Sequence, residues 1–190
     1  MKLRGTYSSI AVYIICLSVA LSCFSQSRPI FENIDQSSGL SNTRVTSIVH
    51  ENGGFVWMGT KNGLNRYDGK DIKIYNKQNS ALSANDIADL YLDKDGNLWI
   101  ATLGGGLNRY DARQNSFEVF RHNPNVENSI PSNQVNAILE DEKGNLWLAT
   151  ENGLALFDKE NKAYQAKNTD QNAIKIDIPL TIVNHNSKPT

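Results

Sequence analysis

Short apolar runs alternate with polar breaks along most of the chain, at strand rather than helix spacing. Residues 87–92 read Ile-Ala-Asp-Leu-Tyr-Leu, Asp93-Lys94-Asp95-Gly96-Asn97 breaks the run, and residues 98–102 resume with Leu-Trp-Ile-Ala-Thr. A second break, Leu103-Gly104-Gly105-Gly106, precedes runs at 107–110 and 116–121. Runs this short, bounded by Gly, Asn and Asp, predict strands joined by tight turns. The same parse fits 45–50, 55–59, 64–67 and 72–75, and again 135–140, 146–149, 154–157 and 163–166. One strand of each set departs from alternation: Leu98-Trp99-Ile100-Ala101 and Leu146-Trp147-Leu148-Ala149 are apolar throughout. A strand with one wet face alternates and a strand covered on both faces does not. The pattern therefore predicts four-stranded sheets stacked face to face, with the tryptophan strand covered on both sides in every set.

The sets are copies of one unit. The chain's three tryptophans, Trp57, Trp99 and Trp147, lie 42 and 48 residues apart, and the last two follow Gly-Asn-Leu. A small residue stands two places after each (Gly59, Ala101, Ala149), then a Gly-Leu pair beginning at Gly63, Gly106 or Gly153, then an aspartate at Asp68, Asp111 or Asp158. We take these twelve as structural repeat positions: the small residues leave room for the neighbouring sheet, and the aspartates start the turn into the outer strand. A period of roughly 40–50 residues with four short strands per unit indicates the blades of a β-propeller. Three blades are fewer than the usual ring of about 4–8. The expected fold class is all-β, with three four-stranded antiparallel blades of an incomplete propeller at 30–78, 79–124 and 125–167.

Residues 1–25 read as a targeting segment. Lys2 and Arg4 precede an apolar run from Ile10 to Leu21, short for a membrane span and suited to a secretory signal. Both cysteines, Cys16 and Cys23, lie here, so cleavage near Ser25 leaves no disulfide and no thiol. Cleavage, retention as an anchor, and lipidation at Cys23 all remain open. The full chain has 19 basic and 20 acidic residues; loss of Lys2 and Arg4 leaves 17 against 20, a net charge of −3. No basic block appears, which argues against nucleic acid, and a membrane is engaged only through the N-terminal segment. Residues 168–190 depart from the repeat. They suggest either a truncated or frame-shifted gene or a capping segment that ends a small independent array.

Candidate chemistry is sparse. Asp93-x-Asp95-Gly96-Asn97 has two calcium-type ligands but lacks the further ligands and closing Glu of a calcium loop, so it reads as a turn. Gly104-Gly105-Gly106 lacks the Lys and helix of a phosphate loop. His50, His122 and His185 have no metal-ligand spacing. No catalytic, metal-binding or cofactor site is predicted. The recurring Arg66-Tyr67-Asp68 and Arg109-Tyr110-Asp111 suit sugars, yet a residue present in every blade is more often structural. Ligand-binding residues are instead expected where blades differ.

The run from Leu82 to Asp111, with copies from Leu40 to Asp68 and from Ile130 to Asp158, resembles the two-component regulator propeller repeat. The third copy departs at Ala155-Leu156, where the others have Asn65-Arg66 and Asn108-Arg109. The resemblance implies the N-terminal part of the periplasmic sensor region of a hybrid two-component histidine kinase of Bacteroidetes. It also implies an oligosaccharide ligand; because three blades are too few to close a ring, the further expected partners are more blades or copies of the chain. The kinase itself is not represented in the sequence. The expected function is non-catalytic ligand sensing in the periplasm or cell envelope. Two alternatives stand beside it: an exported binding or scaffold module, lipid-anchored at Cys23, and a glycan-active propeller enzyme.

Overall fold

A computed structural model of the chain describes residues 31–165. The expected leader with Cys23 and the tail at 168–190 lie outside the described residues. The chain separates into the units Met1–Asn33 and Ile34–Thr190, and every strand below belongs to the second. The strands are β1 (Val45–His50), β2 (Val56–Thr60), β3 (Gly63–Tyr67), β4 (Ile72–Tyr75), β5 (Ile87–Leu92), β6 (Leu98–Thr102), β7 (Gly106–Asp111), β8 (Ser116–Phe120), β9 (Val135–Glu140), β10 (Leu146–Thr150), β11 (Gly153–Asp158) and β12 (Ala163–Gln165). They form three four-stranded antiparallel meanders, β1 to β4, β5 to β8 and β9 to β12. The expected all-β blade architecture is what the chain forms.

Each blade is locked by the same local chemistry. At the central hairpin the Thr60, Thr102 and Thr150 hydroxyls donate to the Gly63, Gly106 and Gly153 carbonyls at 2.9, 2.7 and 2.8 Å. Gly63 has φ +123°, and a Cβ there would meet the Tyr75 carbonyl oxygen at 2.6 Å, so the turn requires glycine. In the first two blades a serine just before the sheet clasps a buried asparagine on the third strand. The Ser41 N–H donates to Asn65 Oδ1 at 2.9 Å, and Asn65 Nδ2 donates to Ser41 Oγ at 2.8 Å. Ser83 and Asn108 repeat this at 3.0 and 2.7 Å. In the third blade both partners change together, to Pro131 and Ala155. Proline has no N–H to donate and alanine has no amide to leave buried and unpaired. The departure at Ala155 is thus a paired replacement.

The core lies between blades. One apolar cluster joins Trp57 and Leu64 of the first blade to Ile87, Leu90, Leu98 and Ile100 of the second. The other joins Trp99, Ala101 and Leu107 to Val135, Ile138, Leu148 and Phe157 of the third. Trp57 meets Tyr110 of the next blade at 4.8 Å between ring centroids, and Trp99 meets Phe157 at 5.6 Å. The first strands of the blades converge on Asp89. Its carboxylate accepts from the Ser47 hydroxyl at 3.0 Å and from the Ile138 N–H at 3.0 Å, tying the second blade to both neighbours.

β6 is buried at every residue, as its apolar run predicts. β10 is not, which corrects the expectation for the third blade. Leu146, Leu148 and Thr150 are buried, whereas Trp147 and Ala149 are only half-buried. The reason is positional. Residues 147 and 149 point away from the second blade, and among the described residues no further sheet lies on that side.

The small residue after the tryptophan sits at this contact. A Cβ built on Gly59 would lie 2.7 Å from Ile87 Cγ2 in the next blade. In a strand interior Gly is normally worse than Ala by roughly 0.5–1 kcal/mol. Gly59→Ala is expected to reverse that sign and destabilise by about 1–3 kcal/mol through overpacking. Ile87→Val is expected to recover part of the loss. Urea unfolding of the three variants measures both.

Candidate functional site

Each indole is anchored by an acid six residues upstream. Trp57 Nε1 donates to Glu51 Oε2 at 2.8 Å, Trp99 to Asp93 Oδ2 at 2.9 Å, and Trp147 to Asp141 Oδ2 at 3.1 Å. A buried indole N–H needs such an acceptor. Asp93 also accepts the backbone N–H groups of Asp95 and Asn97, at 3.1 and 2.7 Å, so it shapes the turn and holds the tryptophan at once. Asp68, Asp111 and Asp158 likewise accept backbone N–H groups two and three residues on, at 2.7 to 3.2 Å.

One acidic cluster crosses the junction of the second and third blades. Carboxylate oxygens of Asp93, Asp95 and Glu140 lie within 4.8 Å of one another, a spacing that suits a cation. The cation in place is the Lys159 ammonium, at 3.2, 3.0 and 2.8 Å from the three. The Asp93 and Glu140 side chains are 0% and 1% exposed. Neither Glu140 nor Lys159 is repeated: their counterparts are His50 and Leu92, and Gly69 and Ala112. Burial opposes ionisation of Asp93, but the Trp99 indole, the Asn97 donors and the Lys159 ammonium together hold its carboxyl below the ordinary value. Burial likewise opposes the Lys159 charge, and the three carboxylates override it and raise its pKa. A carboxylate held ionised, as that of Asp93 is, is poorly placed to give or take a proton near neutral pH. The cluster acts as a lock between blades.

Arg66 and Tyr110, one from each recurring Arg-Tyr pair, meet between the first two sheets, where Arg66 Nη1 donates to the Tyr110 hydroxyl at 3.4 Å. The Arg66 guanidinium stands 4.5 Å from the Phe55 ring centroid and 5.7 Å from that of Trp57. Arg109 stands 5.8 Å from Trp99 and pairs with Glu118 at 2.7 Å. Burial, reinforced by the Tyr75 hydroxyl, pushes the Tyr110 phenol up to about 12.

The concave surface lies where the blades differ. Between β8 and β9 the connector has 14 residues, against 11 between β4 and β5. The longer connector packs against the last blade, where the Asn128 carbonyl accepts the Tyr164 N–H at 2.9 Å. It bounds a cleft of about 340 Å³ whose apolar floor includes the buried Ile130 and Phe157 and whose exposed edge includes Val126, Arg121, Asn123 and Lys162. An apolar floor with a few polar groups at its edge, at this volume, is the general form of a small-ligand site. The twelve repeat positions do not line this cleft. Its residues carried no motif, and only the length of the connector marked them.

Comparison with known proteins fits this geometry. The family model described as two component regulator propeller matches residues 81–104 and 129–152. The extracellular domain of a hybrid two-component system from B. thetaiotaomicron is 30% identical, with a TM-score of 0.67, over 74% of this chain and 20% of that one. The extracellular domain of a second such system from the same organism is also 30% identical, with a TM-score of 0.59, over 71% of this chain and 19% of that one. A histidine kinase of Formosa agariphila is 32% identical over 75 residues, which are 40% of this chain and 5% of the kinase. The chain thus spans about a fifth of the extracellular domains and a twentieth of the kinase that it matches.

The lock makes two testable predictions. Lys159→Met leaves buried carboxylates without their cation and is expected to destabilise by about 3 kcal/mol in urea unfolding. Asp93 titrates lower in the folded chain than in the unfolded one. Its stabilisation is therefore complete above about pH 5 and is lost as pH falls through the carboxylate range. The stability gap between the unchanged chain and Asp93→Asn is expected to narrow steadily in urea midpoints taken at pH 7, 5 and 3.

Proposed function

We propose that this chain, which carries repeats of the two-component regulator propeller family, supplies ligand-sensing blades to an extracellular sensor in the periplasm or cell envelope. The carrying observation is the stack of blades sharing 30% identity with the extracellular domains of two hybrid two-component systems. The ligand is an oligosaccharide, and the cleft between the long β8–β9 connector and the last blade is the surface that receives part of it. Its floor suits the apolar face of a sugar ring, and Arg121 and Asn123 suit its hydroxyl or carboxyl groups. Ligand binding acts by favouring one arrangement of the blades over another, and that difference in affinity is what a kinase elsewhere in the system reads. The blades themselves are non-catalytic in this reading, which the pairing of the clustered Asp93, Asp95 and Glu140 carboxylates with Lys159 supports. Further blades complete the ring. No helix among the described residues is long and apolar enough to cross a membrane. Residues 1–25 direct export.

Calorimetry of the protein extracted from the cell envelope against a panel of plant and algal oligosaccharides tests this reading. One chemical class is expected to bind and to be recovered uncleaved, with Arg121→Ala weakening it by about tenfold or more. Cleavage of the bound oligosaccharide, or the absence of binding across the panel, would overturn it.

A further inference from the structure

The junction of the first and second blades and that of the second and third use the same five positions in their outer part. In the later junction these hold Arg109, Glu118, Phe120, Phe157 and Lys162. In the earlier one they hold Arg66, Lys73, Tyr75, Tyr110 and Asn115. Strand registers set the equivalence. Trp99 pairs with Arg109 and Arg109 with Glu118, as Trp57 pairs with Arg66 and Arg66 with Lys73. Phe120 pairs with Leu107 as Tyr75 pairs with Leu64. Phe157 pairs with Tyr164 as Tyr110 pairs with Phe117. Asn115 and Lys162 each precede the outer strand of their blade, at φ +48° and +53°.

The later junction is neutralised from within. One oxygen of Glu118 pairs with Arg109 at 2.7 Å and the other with Lys162. The earlier junction has no such acid. Lys73 stands in its place, directly opposite Arg66, and like charges at opposed sheet positions are destabilising. The ion pairs among the described residues draw on Arg109, Lys159 and Lys162, and neither Arg66 nor Lys73 joins one. Tyrosine also replaces both phenylalanines, which adds two O–H donors. The Tyr110 phenol, pushed up to about 12, keeps its proton at neutral pH. The donors gather on one neutral oxygen: Asn115 Oδ1 accepts from the Tyr75 hydroxyl at 2.8 Å, the Tyr110 hydroxyl at 3.0 Å and Lys73 Nζ at 3.3 Å. Arg66 reaches the Tyr110 oxygen at 3.4 Å. An amide oxygen has two lone pairs, so the cluster holds more donors than it has places for them. Lys73 and Asn115 are exposed and Arg66 is half-buried, so solvent reaches the cluster.

We propose that the junction of the first and second blades binds a ligand carboxylate between Arg66 and Lys73, in the role that Glu118 fills in the next junction. A carboxylate brings the missing negative charge and about four lone-pair sites, enough for both cations and the two phenols. A sugar acid within an oligosaccharide and a free organic acid present this same group. The site rests on the comparison of the two junctions and not on the cleft beside β12, so it and the oligosaccharide reading stand or fall separately.

Calorimetry on the full chain extracted from the cell envelope tests the site, with trigalacturonate, its methyl ester and citrate at matched ionic strength. Trigalacturonate is expected to bind and the uncharged ester is not. Binding of citrate as well would extend the site to free acids, and binding of trigalacturonate alone would restrict it to sugar acids. Lys73→Met is expected to weaken binding by about tenfold or more. Lys73→Glu builds the absent acid in place and is expected to abolish binding while raising the urea midpoint, since Arg66 then gains the partner that Arg109 has. Lys61→Met, exposed in the β2–β3 turn, is expected to change neither. No binding of either acid, equal binding of the ester, or a lower urea midpoint for Lys73→Glu would overturn the proposal. Binding that survives Lys73→Glu but is lost in Arg121→Ala would also overturn it, and would place the acid in the cleft with the oligosaccharide reading intact.

Discussion

A sheet that is apolar on both faces has no stable existence alone, and this constraint organises the whole chain. The four-stranded meander satisfies its own backbone hydrogen bonds, but its tryptophan strand must be covered from both sides. Trp57 and Trp99 achieve this because another blade stands next to each, and both are essentially without exposed surface. Truncating a buried tryptophan to alanine typically costs about 3–5 kcal/mol. That magnitude places most of the stabilisation at the junctions rather than inside any blade.

Much of this was legible in the amino-acid order. The period of the tryptophans, the Gly-Leu pairs and the unbroken apolar run at residues 98–101 indicated stacked four-stranded sheets, and β5 to β8 follow that parse closely. The run at 146–149 was equally apolar yet misleading about β10. A sequence states that a strand is suited to cover on both sides, not that a neighbour is present. The acids that anchor the indoles were hidden for a different reason. Glu51, Asp93 and Asp141 sit in turns rich in Asp, Gly and Asn, where turn formation alone accounts for the composition. Only the geometry shows that they also receive the indole N–H.

The candidate ligand cleft was the least legible part. Repeated residues announce themselves, and here they build the fold. The residues around the cleft, Arg121, Asn123, Val126 and Lys162, recur nowhere and match no motif. What betrays them is indirect: a connector three residues longer than its counterpart, held against β12 by a backbone hydrogen bond. The unrepeated Glu140–Lys159 pair was hidden in the same way, since neither residue signals the other across 19 positions of chain. In a repeat protein, site-specific chemistry is found by what breaks the period.

Native-state hydrogen exchange, at concentrations low enough to keep chains apart, tests most directly whether junctions carry the stability. The account predicts that amides of β6, covered on both faces, exchange only through global unfolding, while those of β10 to β12 exchange through a cheaper opening of the last blade. Equal protection of β6 and β10 would contradict it, because the blades would then hold their structure without their neighbours.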